Sequence, residues 1–282
     1  MNKTIAVCSA FVLLVCGVSS CKNSAAPQSV AVYVMTNSSS DNSVIAFNRD
    51  ETGLLTQEAP VSTRGKGSGS SRNPLNSQGA LALSGDKKWV LAVNAGSNEI
   101  SVFGVSEKGL TFSSKTSSLG QFPVSIASSG NVVFVLNTKS SPPNITTFTI
   151  DKNGILSSVP NGARLLPPGN YSQVGFTPNR KSLVVAGDSN DLILVYTMKG
   201  NNPSSDPAFV QSNASGPAAF AFDAGGNLLV AESGNNSVSA YSLVSGGLNP
   251  ITWQSVQTAS IFMFLPPLQG PSTYSASELK AT

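Results

Sequence analysis

Apolar residues along this chain come in short runs of strand length, separated by clusters of Asn, Gly, Ser, Asp and Pro. Residues 89–103, WVLAVNAGSNEISVF, show the pattern most fully. Val90 and Ala92 alternate into the turn formers 94–98, and Ile100, Val102 and Phe103 lead out, which predicts a β-hairpin. The same hairpin recurs. Phe103, which closes the second strand, has counterparts at Phe47, Phe148, Tyr196 and Tyr241, so that the five aromatics stand 56, 45, 48 and 45 residues apart. Four copies carry an earlier short strand and a tight polar turn: ALALSGDKKW, VSIASSGNV, QVGFTPNRKS and AFAFDAGGN. Beyond the closing aromatic, a Gly-Leu or Gly-Ile pair returns at Gly53, Gly109, Gly154 and Gly247.

One unit is therefore four short antiparallel strands in roughly 45 residues, the period and strand count of a β-propeller blade. A four-stranded sheet cannot bury both faces alone, so blades must stack around an axis. The expected fold is all-β, a propeller of four-stranded antiparallel blades, with five repeats visible. Trp89 and the closing aromatics are expected between blades, in the core.

The pattern does not extend to the ends. Residues 1–26 combine Lys3, an apolar stretch over 5–18 and the small residues Ser24, Ala25 and Ala26, which is how a secretory signal peptide reads. Fourteen apolar residues are too few for a comfortable membrane span. Val18-Ser19-Ser20-Cys21 also resembles a bacterial lipobox, which would make Cys21 a lipidation site. The expected location is extracytoplasmic, either secreted or lipid-anchored at Cys21. After Ser260 the repeat stops, and residues 261–282 form a tail without an anchor, so the propeller domain is assigned to 27–260. The abrupt stop predicts a chain short of its full set of blades; a true five-bladed ring is the alternative.

Composition narrows the chemistry. Charged residues make up 11% of the chain and the formal net charge is +3, which gives no electrostatic footprint for nucleic acid. Cys8 and Cys16 lie in the leader, leaving no pair for a disulfide and no thiolate metal site. There is no histidine, which removes Ser-His-Asp triads, His-ligated zinc and His as a general base. No cofactor and no metal are expected, and the protein is expected to be a monomer. The ends of second strands and the starts of first strands converge on one face of a propeller. They place Asn94, Asn137, Asp188 and Glu232 near Gln173 around the axis. Asn and Asp there also suit Asx turns. The Gly/Ser-rich segment 61–79 reads as a flexible loop, although it would bring Arg64, Lys66 and Arg72 to the same face.

The motifs VNAGSNEISVF and SQVGFTPNRKSLVV, with the opening AVYVMTNSSSDNSVIAFNRDETGLLT, resemble the seven-bladed propeller lactonases, described as 6-phosphogluconolactonase-like or carboxymuconate-cyclase-like. The resemblance covers residues 31–260 and lies with secreted members. It implies that a sugar-acid or muconate lactone is opened or closed without a dissociable cofactor. Two departures stand out: the muconate branch uses a His with Arg and Glu, and the family has seven blades. Under this reading Glu232 orients or deprotonates water. Arg64, Lys66 and Arg72 supply positive charge, and Asn94, Asn137, Gln173 and Asp188 hold substrate. A non-catalytic binding or scaffold propeller is the other class.

Overall fold

The computed structural model describes residues 12–14, 30–69, 77–187, 191–244 and 247–255. These form five antiparallel sheets in chain order. The first comprises Val12–Leu14, Val30–Met35, Ser43–Arg49 and Leu55–Gln57, with Val61–Ser62 also paired to its third strand. The second is Leu81–Leu83, Trp89–Asn94, Glu99–Ser106 and Gly109–Ser117. The third is Pro123–Ser129, Val132–Asn137, Asn144–Ile150 and Leu156–Ser158, with Arg164–Leu165. The fourth is Tyr171–Phe176, Ser182–Gly187, Leu192–Lys199 and Asn202–Pro203, with Ala208–Gln211. Pro217–Phe222, Leu228–Glu232, Ser237–Val244 and Gly247–Ser255 make the fifth. Each sheet meanders from an inner strand to an outer one, which is the expected propeller blade.

The second strands are buried on both faces rather than one. Val132–Asn137 is buried at every position, and so is Val90 through Asn94. A blade is covered on each side by its neighbours, so its middle strands become near-continuous apolar runs and alternation fades. Outer strands return to solvent, as Leu55–Gln57 does. Phe103, Phe148, Tyr196 and Tyr241 are all buried. Trp89 reaches the third sheet, where a Cβ on Gly154 would lie 2.6 Å from its ring. Gly154 also has φ +75°, as Gly53 and Gly109 have φ above +90°. At these three of the four positions the recurring glycine after the closing aromatic is therefore a left-handed turn residue.

Neighbouring blades are joined at the axis by their inner strands. A register shift recurs at Pro123/Ser125, Tyr171/Gln173 and Pro217/Ala219, an extra residue at the same place in three sheets. These bulges turn backbone groups toward the neighbouring blade. Ser77 Oγ donates to Val124 O at 2.8 Å and Ser172 Oγ to Ala218 O at 2.5 Å. The amide of Ile126 donates to Gly79 O, that of Val174 to Ser125 Oγ and that of Phe220 to Gln173 Oε1. A ring of otherwise orphaned amides is thus satisfied between blades.

Val12–Leu14 pairs with Val32–Val34 as the innermost strand of the first sheet. That differs from the expectation that 1–26 stands wholly apart from the fold. The physical reason is the open inner edge of Val30–Met35, which any short apolar segment can cover by pairing. Cys21 and the 261–282 tail lie outside the described residues.

Candidate functional site

The loops entering each blade and the loops between second and third strands gather on one face. The loop 63–69 is docked there rather than free. Its buried and exposed positions alternate: Thr63, Gly65 and Gly67 are buried, while Arg64 and Lys66 are exposed. The glycines are required by close approach. A Cβ on Gly65 would lie 2.5 Å from the Asn94 side chain, and one on Gly67 would overlap the Asn37 carbonyl. Backbone bonds fix both sides, with Gly67 N donating to Ser38 O at 2.7 Å and Gly96 N to Lys66 O at 2.9 Å. Lys66 N donates to Ser97 Oγ at 3.0 Å. The expected flexibility is absent from this part because the small residues let two blades grip the backbone.

The cations on this face differ in engagement. The Arg64 guanidinium lies 4.0 Å from the centroid of the Phe112 ring. Lys139, on the loop between the second and third strands of the third sheet, lies 3.6 Å from that of Phe122. Such stacking holds a cation in place while leaving its charge available. Lys66 has no ion-pair partner among the described residues. Arg72 lies outside the described residues, as does Asp188.

The carboxamides expected around the channel mouth are instead inside the seams between blades. Asn94 is fully buried. Its Oδ1 accepts from Thr63 Oγ1 at 2.7 Å and from Asn42 Nδ2 at 2.9 Å, both in the preceding repeat. Its Nδ2 donates to Ser101 Oγ at 2.7 Å, and Ser101 Oγ donates on to Thr63 O. Asn137 repeats the donor half of the arrangement: Nδ2 donates to Thr146 Oγ1 and, with Thr146 Oγ1, to the Ser118 carbonyl, while the Ser118 hydroxyl donates to Gly120 O instead of to Asn137 Oδ1. Gln173 spans to the fifth blade, accepting from Phe220 N at 2.7 Å and donating to Phe220 O at 3.0 Å. These three side chains face the seams, and only Asn137 Oδ1 is left there without a partner among the three. The strand-end Asn side chains bond across the seam because a partner blade lies within hydrogen-bond reach.

Glu232 occupies the same seam position in the fifth sheet and is 1% exposed. Its Oε1 accepts from Ser212 Oγ at 2.5 Å. Tyr241 Oη lies 3.1 Å from that hydroxyl and itself accepts from Asn213 N. Burial pushes its carboxyl above the usual carboxylate range, opposed by Ser212 and Ser239 and reinforced by the charge of Asp191. The burial behind this shift is that of the seam between blades, where Glu232 is closed off from solvent.

The seam partners Thr63, Ser118 and Ser212 went unread in the sequence, although a signal exists. Thr63-Arg64-Gly65 and Ser118-Leu119-Gly120 share a hydroxyl, a left-handed middle residue and a glycine against the seam Asn. The paired hydroxyls Ser101, Thr146 and Ser239 each stand two residues into a third strand. Among the described residues no three Asp, Glu or Cys side chains gather as metal ligands. No helix among them is long and apolar enough to cross a membrane.

Fold and site together define a β-propeller with a basic loop face and polar seams. The chain belongs to the lactonase family of seven-bladed β-propellers, whose profile matches residues 25–165. It is similar in structure to a protein from Lactobacillus plantarum, with TM-score 0.63 and 19% identity over 80% of this chain and 68% of that one. A putative 6-phosphogluconolactonase from Bacteroides fragilis superposes with TM-score 0.54 and 16% identity, over 80% and 81% of the two chains. The periplasmic gluconolactonase of Pseudomonas aeruginosa gives 0.58 and 16%, over 80% and 67%. At these identities the likeness speaks to the fold. No curated protein matches the sequence.

Proposed function

We propose that the protein is an extracytoplasmic lactonase-family propeller that binds a sugar-acid or muconate-type lactone on its basic loop face and opens or rearranges the ring. The observation that carries the reading is Lys66, held outward and unpaired on a loop locked between two blades. A fixed cation of this kind attracts a substrate carboxylate or a developing oxyanion. Arg64 and Lys139 would extend the positive face, and Arg72 is proposed to join them. The names of the B. fragilis and P. aeruginosa structures, a putative 6-phosphogluconolactonase and a gluconolactonase, are in keeping with a sugar-acid lactone. Export by residues 1–26, or anchoring through Cys21, belongs to the same proposal, as does action as a monomer on a small molecule.

A second reading, a non-catalytic binding propeller, draws on a specific observation. Asn94, Asn137, Gln173 and Glu232 are all engaged within the seams, so the polar ring expected to hold and activate substrate is turned toward neighbouring blades. The test is ring opening of a panel of sugar-acid and muconate lactones by the purified protein, against spontaneous hydrolysis. Turnover that falls in Lys66→Ala supports the enzyme. Saturable binding without turnover selects the binding module, and neither turnover nor binding refutes a lactone-directed role.

A further inference from the structure

The second and fifth seams share a plan, in which a hydroxyl from the preceding blade donates to the side chain that ends the second strand, and the fifth carries a carboxyl where the second carries an amide. In the second, the Asn94 amide accepts through Oδ1 from the Thr63 hydroxyl and donates through Nδ2 to the Ser101 hydroxyl. In the fifth, Glu232 Oε1 accepts from the Ser212 hydroxyl in the same way. The equivalence of Thr63 and Ser212 is fixed by the backbone, since Thr63 N donates to Asn42 O and Ser212 N to Asp191 O. Ser239 stands where Ser101 stands, two residues into the third strand. Glu232 Oε2 and Ser239 Oγ are both buried and neither makes a hydrogen bond of regular geometry, while the Ser239 hydroxyl lies near enough to act on the carboxyl. A carboxylate supplies only acceptors; a carboxylic acid supplies one acceptor and one donor, as an amide does.

We propose that Glu232 is held as the neutral acid and stands in for the seam asparagine, with its Oε2 hydroxyl donating to Ser239 Oγ. The surrounding donors are ordered for this state. Asn213 N donates to Tyr241 Oη, Tyr241 Oη to Ser212 Oγ, and Ser212 Oγ to Glu232 Oε1, which leaves Oε2 to carry the proton. Among the described residues no cation acts to offset a charge there. The strands Pro217–Phe222, Leu228–Glu232, Ser237–Val244 and Gly247–Ser255, and the turn 212–216, contain no Lys or Arg. The titratable groups facing Glu232 are Tyr241, through Ser212, and Asp191, whose own charge disfavours ionisation. Burial works in the same direction.

The sign of the linkage follows. A carboxyl whose folded value is raised binds its proton more tightly folded than unfolded. Its contribution is full below the ordinary carboxylate range and is lost as pH rises through the raised value. Ionisation then leaves an uncompensated charge in the seam, so the fifth blade undocks first. The seam held by Asn94 carries no such dependence.

The test compares the full chain with Glu232→Gln, whose amide keeps one acceptor and one donor. Melting temperature is followed from about pH 4 to 9. The wild type should lose ground to Glu232→Gln as pH rises, by about 2 °C or more, and amide exchange in residues 217–244 should accelerate over the same range. Parallel melting profiles overturn the proposal. Should the variant fail to fold, infrared titration of the wild type decides. One neutral carboxylic acid persisting above the range of the other acids supports the proposal, and all carboxyls titrating together overturn it.

Discussion

Asn94 Nδ2 donates to Ser101 Oγ at 2.7 Å across the end of the second sheet, and both side chains are fully buried. This bond orients both groups for the bonds with Thr63 and Asn42 that tie the first blade to the second. An interblade tie of this kind matters more in a propeller than in a closed core, because each blade touches only its neighbours.

Removing that carboxamide should be costly. Asn94→Ala leaves the hydroxyls of Thr63 and Ser101 and the Asn42 amide short of partners in a buried site. A loss of about 2–3 kcal/mol is expected, read as a lower urea midpoint at unchanged slope.

Gly65→Ala tests whether the basic loop is docked. The added methyl meets the Asn94 side chain at 2.5 Å, so loop or seam must shift, at a cost of about 1–3 kcal/mol. If the loop were free, the substitution would leave thermal stability unchanged. Ligand affinity at Lys66 should fall with it, measured by calorimetry on whichever lactone binds.

Gln173→Ala strips both bonds to the Phe220 backbone. The buried amide of Phe220 loses its partner, and about 1–3 kcal/mol should go with it. A polar substrate contact would instead show itself as weaker ligand binding at unchanged stability, so the two measurements together distinguish the roles.

On the acid side a different group of residues governs stability. The Asp50 carboxyl is held below its usual range by the Thr52 hydroxyl and then by backbone amides of its turn. Asp223 is held down by the Asn227 side chain and backbone. A depressed folded value contributes stability that is present above the unfolded value and lost as pH falls through the folded one. Melting temperature should therefore drop at low pH, and Asp223→Asn should flatten that acid limb while leaving the limb assigned to Glu232 intact.

Much of the architecture was legible because its determinants are local. The turn glycines at Gly53, Gly109 and Gly154 need a left-handed backbone, and any reading of the chain can find them at their fixed place after the closing aromatic. The basic loop was legible in composition but not in behaviour. Its Gly/Ser content suggests a linker, yet the same small residues are what allow Asn37 and Asn94 to approach its backbone.

Sequence alone determined the blades: their number among the described residues, their closing aromatics and the turns between them, but not the added strands Val12–Leu14, Val61–Ser62, Arg164–Leu165 and Ala208–Gln211. Period and turn chemistry are properties of neighbouring residues, so no knowledge of the rest of the fold is needed. Tertiary structure decided what the strand-end polar residues do. Asn94, Asn137, Gln173 and Glu232 could each cap a turn, face a channel or bridge to another blade, and nothing within a repeat separates these fates. The choice rests on how closely the preceding blade approaches, which brings Thr63 to Asn94 and Ser212 to Glu232. That distance is set by packing between segments 20 or more residues apart, where a one-dimensional pattern carries no information about contact.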